Sequence, residues 1–132
     1  MRTIKFRAKN INGVWYYGCL VYSNELDAAI YFQTGNGSVN VMDWVYVNPE
    51  TVGQFTGLLD KNGNEIYEGD ILRFGNSPSG VCEVKWNESI AAFCIYFYFK
   101  GEIGSRPLGG CVEFAIIGNI HDNPELLKEE LY

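Results

Sequence analysis

The chain contains a single histidine, His121, and none of its four cysteines forms a C-x-x-C pair. Structural zinc sites need Cys and His ligands at such short spacings, and a catalytic triad needs an imidazole beside its nucleophile. The sequence also lacks a Gly-x-Ser-x-Gly elbow and a glycine-rich loop followed by Lys-Ser or Lys-Thr. These absences predict a protein with no catalytic residues, no metal site and no cofactor.

Long apolar segments are missing as well. The longest apolar run, residues 90–99, has half of the roughly 20 residues that a membrane-spanning helix needs. The first residues alternate between apolar and charged side chains, unlike the continuous apolar core of a secretory signal. The sequence therefore predicts a soluble cytoplasmic protein whose thiols are reduced.

Positive charge is scarce, since ten Lys and Arg stand against sixteen Asp and Glu and the net charge is −6. Residues 1–53 carry four cations and four anions, residues 54–120 carry five and eight, and residues 121–132 carry one and four. Binding driven by phosphate groups needs a broad basic surface. The charge composition argues against such a surface for the chain as a whole.

Aromatic residues and glycine, in contrast, are abundant. Hydrophobic residues make up 47% of the 132 residues and aromatic residues 15%, with 15 glycines. This composition, with few helix-favouring runs, predicts an all-β or mainly β protein. The length allows one medium domain or two very small ones.

The N-terminal residues predict a β-hairpin. Lys5, Arg7 and Lys9 alternate with apolar residues at positions 4, 6 and 8, which is the pattern of a half-buried strand. After a turn at residues 10–13, residues 14–22 return as a second strand, whereas residues 26–32 fit either a strand or one helical turn. The three cations have two interpretations. They bind phosphates or an acidic partner, or they form the solvated face of an outer strand, where such charges discourage edge pairing.

The stretch from Gln54 to Phe74 is the part around which the chain is organised. Its segment DKNG, residues 60–63, contains the Asn-Gly pair that tight turns favour, and residues 65–68 then enter a strand. A bend at residues 69–70 leads to a further strand at residues 71–74. Four carboxylates lie here: Asp60, Glu65, Glu68 and Asp70. They could hold a divalent cation, but turns and strand ends account for them and their spacing is not that of a calcium loop.

The remaining residues predict further strands and a short helix. Strands are expected at residues 81–86, 90–99 and 111–118, with exposed or flexible loops at residues 75–80 and 100–110. If the turn around residues 87–89 has three residues, Cys82 faces Cys94 across two strands. They would then be buried apolar groups in a reducing compartment, or a disulfide in an oxidising one. Asn123 can cap a helix whose first position is Pro124.

Seven segments resemble the YopX family, small proteins of unknown function found mostly in bacteriophages and prophages of Gram-positive bacteria. The segments are IKFRA (4–8), PETVGQFTGL (49–58), DKNG (60–63), EIYEGDI (65–71), VKW (84–86), IGNI (117–120) and NPELL (123–127). The chain departs from the family at Lys9, where an aromatic residue commonly follows Phe-Arg-Ala. Residues 23–40 and 100–110 show no match.

The resemblance implies a β-rich fold whose C-terminal part is similar to a small SH3-like barrel, assembly into oligomers, and an origin in a phage accessory region. It implies no activity, because none is assigned to the family. The motif residues are expected to be structural. They are Gly57, Asp60, Asn62, Gly63, Ile66, Tyr67, Gly69, Asp70, Ile71, Gly118, Asn119, Asn123 and Pro124.

Together, these observations predict a mainly β protein of two parts. A front β module comprises residues 1–53, and residues 54–132 form an SH3-like small β-barrel with a short C-terminal helix. The aromatic excess is expected to supply subunit or partner contacts, where Tyr and Trp are favoured. The candidate partner-binding residues are Lys5, Arg7, Lys9, Trp15, Tyr17 and Trp44.

The expected function is that of a non-enzymatic phage accessory protein in the cytoplasm of a bacterial host, which self-associates and binds a host or phage protein. One alternative is a nucleic-acid-binding protein that uses the three N-terminal cations and exposed aromatic residues as stacking platforms. Another is an acidic decoy that competes with nucleic acid for the protein that binds it.

Overall fold

The computed structural model describes residues 1–35, 41–76, 80–99, 102–109 and 113–128. The chain divides into two compact units, unit 1 at Met1–Phe55 and unit 2 at Thr56–Tyr132. The first strands are β1 (Phe6–Lys9), β2 (Trp15–Tyr22), β3 (Ala28–Thr34), β4 (Val41–Val47) and β5 (Gly53–Leu59), with a 3-10 turn at Pro49–Thr51. The later elements are β6 (Glu65–Tyr67), β7 (Asp70–Phe74), β8 (Val81–Asn87), β9 (Ala92–Phe99), β10 (Glu102–Pro107), β11 (Phe114–Asn119) and α1 (Glu125–Lys128).

Unit 1 is built on an antiparallel sheet with the strand order β4-β3-β2-β1-β5. Strands β1 and β2 form the predicted hairpin, and its turn is closed by Asn10, whose side chain accepts hydrogen bonds from the N–H groups of Asn12 and Val14. Residues 28–34 form a strand rather than a helical turn because they pair with β2 on one side and β4 on the other. Strand β5 runs across the boundary, and its end lies beside β6 within unit 2.

One face of the unit 1 sheet forms its hydrophobic core. The buried residues of this core are Ala8, Ala28, Ile30 and Val47, and the partly buried ones are Phe6, Tyr16, Leu20, Phe32, Val45 and Val52. Successive side chains of a strand point to opposite faces of the sheet. The residues between the core positions of β1, β2, β3 and β4 therefore project from the other face.

Unit 2 contains a five-stranded antiparallel sheet with the order β10-β9-β8-β7-β11. Its core combines buried side chains from these strands with one from β6 and one that follows β10. The core residues are Ile66, Leu72, Cys82, Val84, Ile95, Leu108 and Phe114. Helix α1 lies against β8.

The prediction of a mainly β protein is confirmed, with two antiparallel sheets and, in the described part of the chain, one short α-helix. That helix has four residues. Across the described ranges no helix has the length and apolar character that crossing a membrane requires.

The prediction of a loop over residues 100–110 is wrong for most of that segment. Residues 102–107 form β10, which pairs with β9 from Glu102 opposite Phe99 to Pro107 opposite Cys94. The segment contains Gly104 and Pro107, which favour loops, but its partner strand supplies a complete antiparallel ladder. Pairing with a neighbour overrides the local preference.

The predicted pairing of Cys82 with Cys94 is also wrong. The turn between β8 and β9 spans residues 88–91, so Asn87 lies opposite Ala92 and the register is displaced. Cys82 lies opposite Phe97, whereas Cys94 lies opposite Lys85. Both thiols are free and buried, as expected for small apolar groups, but they point to opposite faces of the sheet.

Candidate interaction surface

The strand register places five of the six candidate partner-binding residues on one face of the unit 1 sheet, and Lys5, which directly precedes β1, lies over Phe55. Arg7 lies opposite Tyr17, Lys9 lies opposite Trp15, and Tyr31 lies opposite Trp44. Residues directly opposite each other share a face. We call this surface the aromatic–basic face. Its residues are Lys5, Arg7, Lys9, Trp15, Tyr17, Cys19, Val21, Ala29, Tyr31, Gln33, Met42, Trp44 and Tyr46.

The basic part of the face is formed by β1 and the preceding Lys5, and the cations of this segment lie over aromatic rings. The guanidinium of Arg7 is 4.7 Å from the ring centroid of Trp15, and Lys9 Nζ is 5.6 Å from the same centroid. Lys5 Nζ is 5.4 Å from the centroid of Phe55. Cation–π contacts of this kind hold the rings and the charges in fixed positions. The Arg7 side chain therefore helps to position Trp15, and it is itself buried.

The aromatic part of the face is formed by β2, β3 and β4. The ring of Trp44 is 4.8 Å from that of Tyr46 in an edge-to-face arrangement and 6.1 Å from that of Tyr31 in a stacked one. Tyr17, Trp44 and Tyr46 nevertheless keep 48%, 46% and 62% of their surface exposed. Such a concentration of exposed aromatic side chains is characteristic of an interaction surface.

The residues of the aromatic–basic face include no carboxylate. Asp43 of β4 points to the opposite face, since it lies opposite the core residue Phe32. Unit 1 has four cations and four anions, whereas unit 2 has six cations and twelve anions. The net negative charge of the chain thus belongs to unit 2, and the face on unit 1 is locally basic.

Sequence reasoning identified only part of this face. Tyr31 was hidden in a segment whose pattern fitted either a strand or a helical turn, and Met42 and Tyr46 join the face only through the register of β3 and β4. Tyr16, one residue before Tyr17, packs instead in the core at 5.2 Å from the ring of Phe32. The sequence signal that could have identified these residues is the alternation of side chains between the two faces along β3 and β4.

In unit 2, Asp60 organises the DKNG turn. Its Oδ1 accepts hydrogen bonds from the N–H groups of Asn62 and Asn64 at 2.9 Å, and its Oδ2 accepts one from Ile116 at 3.0 Å. Burial acts to raise the pKa of Asp60, but the hydrogen bonds from Ile116, Asn64 and Asn62 outweigh it and lower the pKa. The carboxylate joins the turn to β11 and serves the fold.

The other carboxylates of the central stretch also contact the protein's own groups. The buried Asp70 accepts a hydrogen bond from the N–H of Tyr67 at 2.8 Å, and Glu65 accepts one from the Tyr67 hydroxyl at 3.3 Å. Within the described ranges no three His, Cys, Asp or Glu side chains form a group that could hold a metal ion. The motif residues Ile66, Tyr67 and Ile71 are buried.

The second part of the motif, residues 117–124, forms a compact turn before α1. Asn119 Oδ1 accepts hydrogen bonds from the N–H groups of His121 and Asp122. Asn123, predicted as the helix cap, accepts one from the N–H of Asn119 at 3.3 Å. A Cβ at Gly118 would be 2.6 Å from Asn123 Oδ1, so a larger residue there would displace the Asn123 side chain. Pro124 directly precedes the helix.

The motif glycines before β7 have left-handed backbone conformations, with φ of +87° at Gly57, +83° at Gly63 and +90° at Gly69. L-amino acids with side chains rarely adopt this region, so glycine is the residue that these positions favour.

Three polar side chains contact each other on the face of the unit 2 sheet that points away from its core. Glu83 Oε1 accepts a hydrogen bond from the Tyr98 hydroxyl at 3.4 Å and lies 4.0 Å from Lys85 Nζ. Burial raises the pKa of Glu83, although Lys85 and Tyr98 act in the opposite direction. Burial acts to lower the pKa of Lys85, but Tyr98 and Glu83 outweigh it and raise the pKa. The charges stabilise each other.

A shallow cleft in unit 1 adjoins the aromatic–basic face. It has a volume of about 390 Å³ and is lined by Asn10, Ile11, Tyr46, Val47 and Asn48. Tyr46 belongs to both the cleft and the face, and Ile11 is almost fully exposed. The cleft extends the exposed apolar surface beyond the end of β4.

Comparison with known proteins identifies the family. The family described as YopX protein matches residues 5–128, and the chain belongs to the YopX family. The crystal structure of protein EF1440 from Enterococcus faecalis is similar, with a TM-score of 0.52 and 24% identity over 96% of this chain and 99% of that chain. At this identity the similarity concerns the fold. No curated protein matches the chain.

Proposed function

We propose that this protein is a non-enzymatic phage or prophage accessory protein that acts in the bacterial cytoplasm, self-associates, and binds a host or phage protein through the aromatic–basic face. The observation that carries the proposal is the concentration of exposed aromatic side chains, buttressed by cations, on one face of one sheet. Aromatic residues and Arg are enriched where proteins meet, because they bury a large area and retain polar contacts.

The carboxylates of the central stretch support the proposal that the protein is not an enzyme. In the DKNG turn the carboxylate of Asp60 accepts three backbone hydrogen bonds, and that of Asp70 accepts one from Tyr67. Groups held in this way are suited to fixing turns rather than to moving protons or binding a cation.

Substitution of Tyr17 by Ala is expected to abolish capture of the partner, because Tyr17 presents its ring from the centre of the face. Tagged wild-type and variant proteins would be purified from host cells after nuclease treatment, and bound proteins quantified by mass spectrometry. Tyr22→Ala is the matched control, since Tyr22 is on the same strand, 52% exposed, and on the opposite face. Equal loss of partner capture in both variants, or no loss in either, would contradict the role assigned to the face.

Nucleic-acid binding is a second candidate, favoured by the absence of carboxylates among three cations and several aromatic rings. The protein-binding proposal expects no binding of a 20-nucleotide oligothymidylate in fluorescence anisotropy at physiological salt. The second candidate expects binding that weakens steeply with salt and falls about tenfold in Lys5→Glu/Lys9→Glu. Lys61→Glu, in the DKNG turn of unit 2, is the control. Arg7 is left unchanged because it is buried.

A further inference from the structure

Strand β4 is an edge strand with few of the features that prevent edge-to-edge pairing. It lies at the end of the unit 1 sheet, and no strand within the described ranges pairs with its outer edge. Its sequence VMDWVYV contains no Lys, Arg, Pro or Gly, and its one charged residue is Asp43. The edge strand β10 of unit 2, in contrast, has a Gly, a Pro and two charged residues in EIGSRP. Unprotected edges readily pair with another strand, and proteins normally avoid them unless they are used.

One hydrogen bond indicates which backbone groups of β4 point towards its outer edge. The N–H of Trp44 donates to the side chain of Asp43 at 2.8 Å, which places this N–H away from β3. In an antiparallel ladder, residues alternate between those that bond to the neighbouring strand and those whose groups point outward. Met42 and Tyr46 therefore present their N–H and C=O groups to an incoming strand, and Trp44 presents its C=O. The N–H of Trp44 would exchange Asp43 Oδ1 for a carbonyl oxygen of that strand.

The sequence of β4 is complementary to itself in the register that uses these groups. In an antiparallel pair centred on Trp44, Met42 lies opposite Tyr46 of the second copy, and Asp43 lies opposite Val45 of the second copy. Sulfur–aromatic contact favours the first pair, and no carboxylates face each other. A pair centred on Asp43 would place two carboxylates together and use the groups already bonded to β3. Unit 1 also has balanced charge, so the two unit 1 sheets carry no net charge against each other.

We propose that two copies of this chain pair antiparallel through β4, with Trp44 at the centre of the contact, to form one continuous sheet. This inference rests on the self-association in the proposed function and names its surface. A two-fold axis perpendicular to the sheet keeps the two aromatic–basic faces on the same side. The pair would present one extended surface with Trp44 and Tyr46 in its middle and the β1 cations towards its ends.

The test compares two double variants that remove the same apolar groups. Met42→Lys/Tyr46→Lys puts like charges opposite each other twice, whereas Met42→Lys/Tyr46→Glu puts opposite charges there. Both residues are mainly exposed, at 56% and 62%, so the fold of the monomer should persist. We expect the dimer Kd to rise at least about 100-fold in the first variant and to stay within about tenfold of wild type in the second. Sedimentation velocity measures the Kd, and circular dichroism verifies the fold.

Val21→Lys is the control, because Val21 is exposed on the same face but lies on β2. Its Kd should equal that of wild type. Dissociation of all three variants, or of both double variants, would overturn the β4 pairing or its register. A wild-type assembly that neither double variant affects would overturn the inference and leave self-association intact. A monomeric wild type would overturn self-association itself.

Discussion

Gly18→Ala should lower the free energy of unfolding of unit 1 by about 3 kcal/mol, the upper part of the range for overpacking. A Cβ at position 18 would lie 2.1 Å from the carbonyl oxygen of Tyr31 and 3.1 Å from its carbonyl carbon. These are backbone atoms of β3, so no side chain can rotate to make room. Strand β3 would have to move away from β2, disturbing the core around Ile30.

Urea unfolding followed by tryptophan fluorescence measures this effect. Trp15 and Trp44 are in unit 1, whereas Trp86 is in unit 2, so the variant should shift the signal of the first two. Gly104→Ala is the control, because Gly104 is also in a strand but a Cβ there would have no neighbour within 4 Å. Its stability should change by less than about 1 kcal/mol. Equal losses in both variants would show that the approach of β3 to Gly18 does not limit stability.

Asp60→Asn should lower the free energy of unfolding of unit 2 by about 3 kcal/mol at pH 7. The substitution keeps the shape of the side chain but replaces one oxygen by an NH2 group. Both oxygens of Asp60 accept backbone N–H groups, so either orientation of the amide sets a donor against a donor. The loss comprises charge-assisted hydrogen bonds and the burial of an unsatisfied N–H.

The pH dependence gives a separate test of Asp60. Its pKa is lower in the folded protein than in the unfolded chain, so the unfolded state binds the proton more readily. The stabilising contribution is therefore present above the unfolded value of about 3.9 and is lost as pH falls through the folded pKa. Urea titrations should show the difference between wild type and Asp60→Asn shrinking below about pH 4. Glu88→Gln, in the exposed β8–β9 turn, should change the stability little both at pH 7 and below pH 4. A difference independent of pH would contradict the role of the charge.

The hairpin of β1 and β2 could be predicted from the sequence because alternation and a turn are local signals. Strand β10 could not, since Gly104 and Pro107 favour a loop and only the ladder with β9 makes the segment extended. The register of β8 and β9 differs from the predicted one because the turn between them has four residues rather than three. Ala91 adopts a positive φ of 52° there, which no sequence rule for alanine would indicate.

The aromatic–basic face shows the same division between local and non-local information. The cations of β1 and the ring of Trp15 share a face because one hairpin fixes their register. Whether Trp44 joins them depends on two further pairings, β2 with β3 and β3 with β4. A shift of one residue in either pairing would have turned Trp44 into the core. The composition of the face was predictable, but its extent required the sheet.

The displaced register of β8 and β9 also decides the redox chemistry of unit 2. A disulfide needs Cβ atoms about 4 Å apart, whereas Cys82 and Cys94 point to opposite faces of the sheet. Bringing them together would require a slip by an odd number of residues, which would turn the core side of one strand outward. Oxidation of these two thiols to each other is thus incompatible with the hydrophobic core. The fold of unit 2 is the same in a reducing and an oxidising environment as far as this pair is concerned.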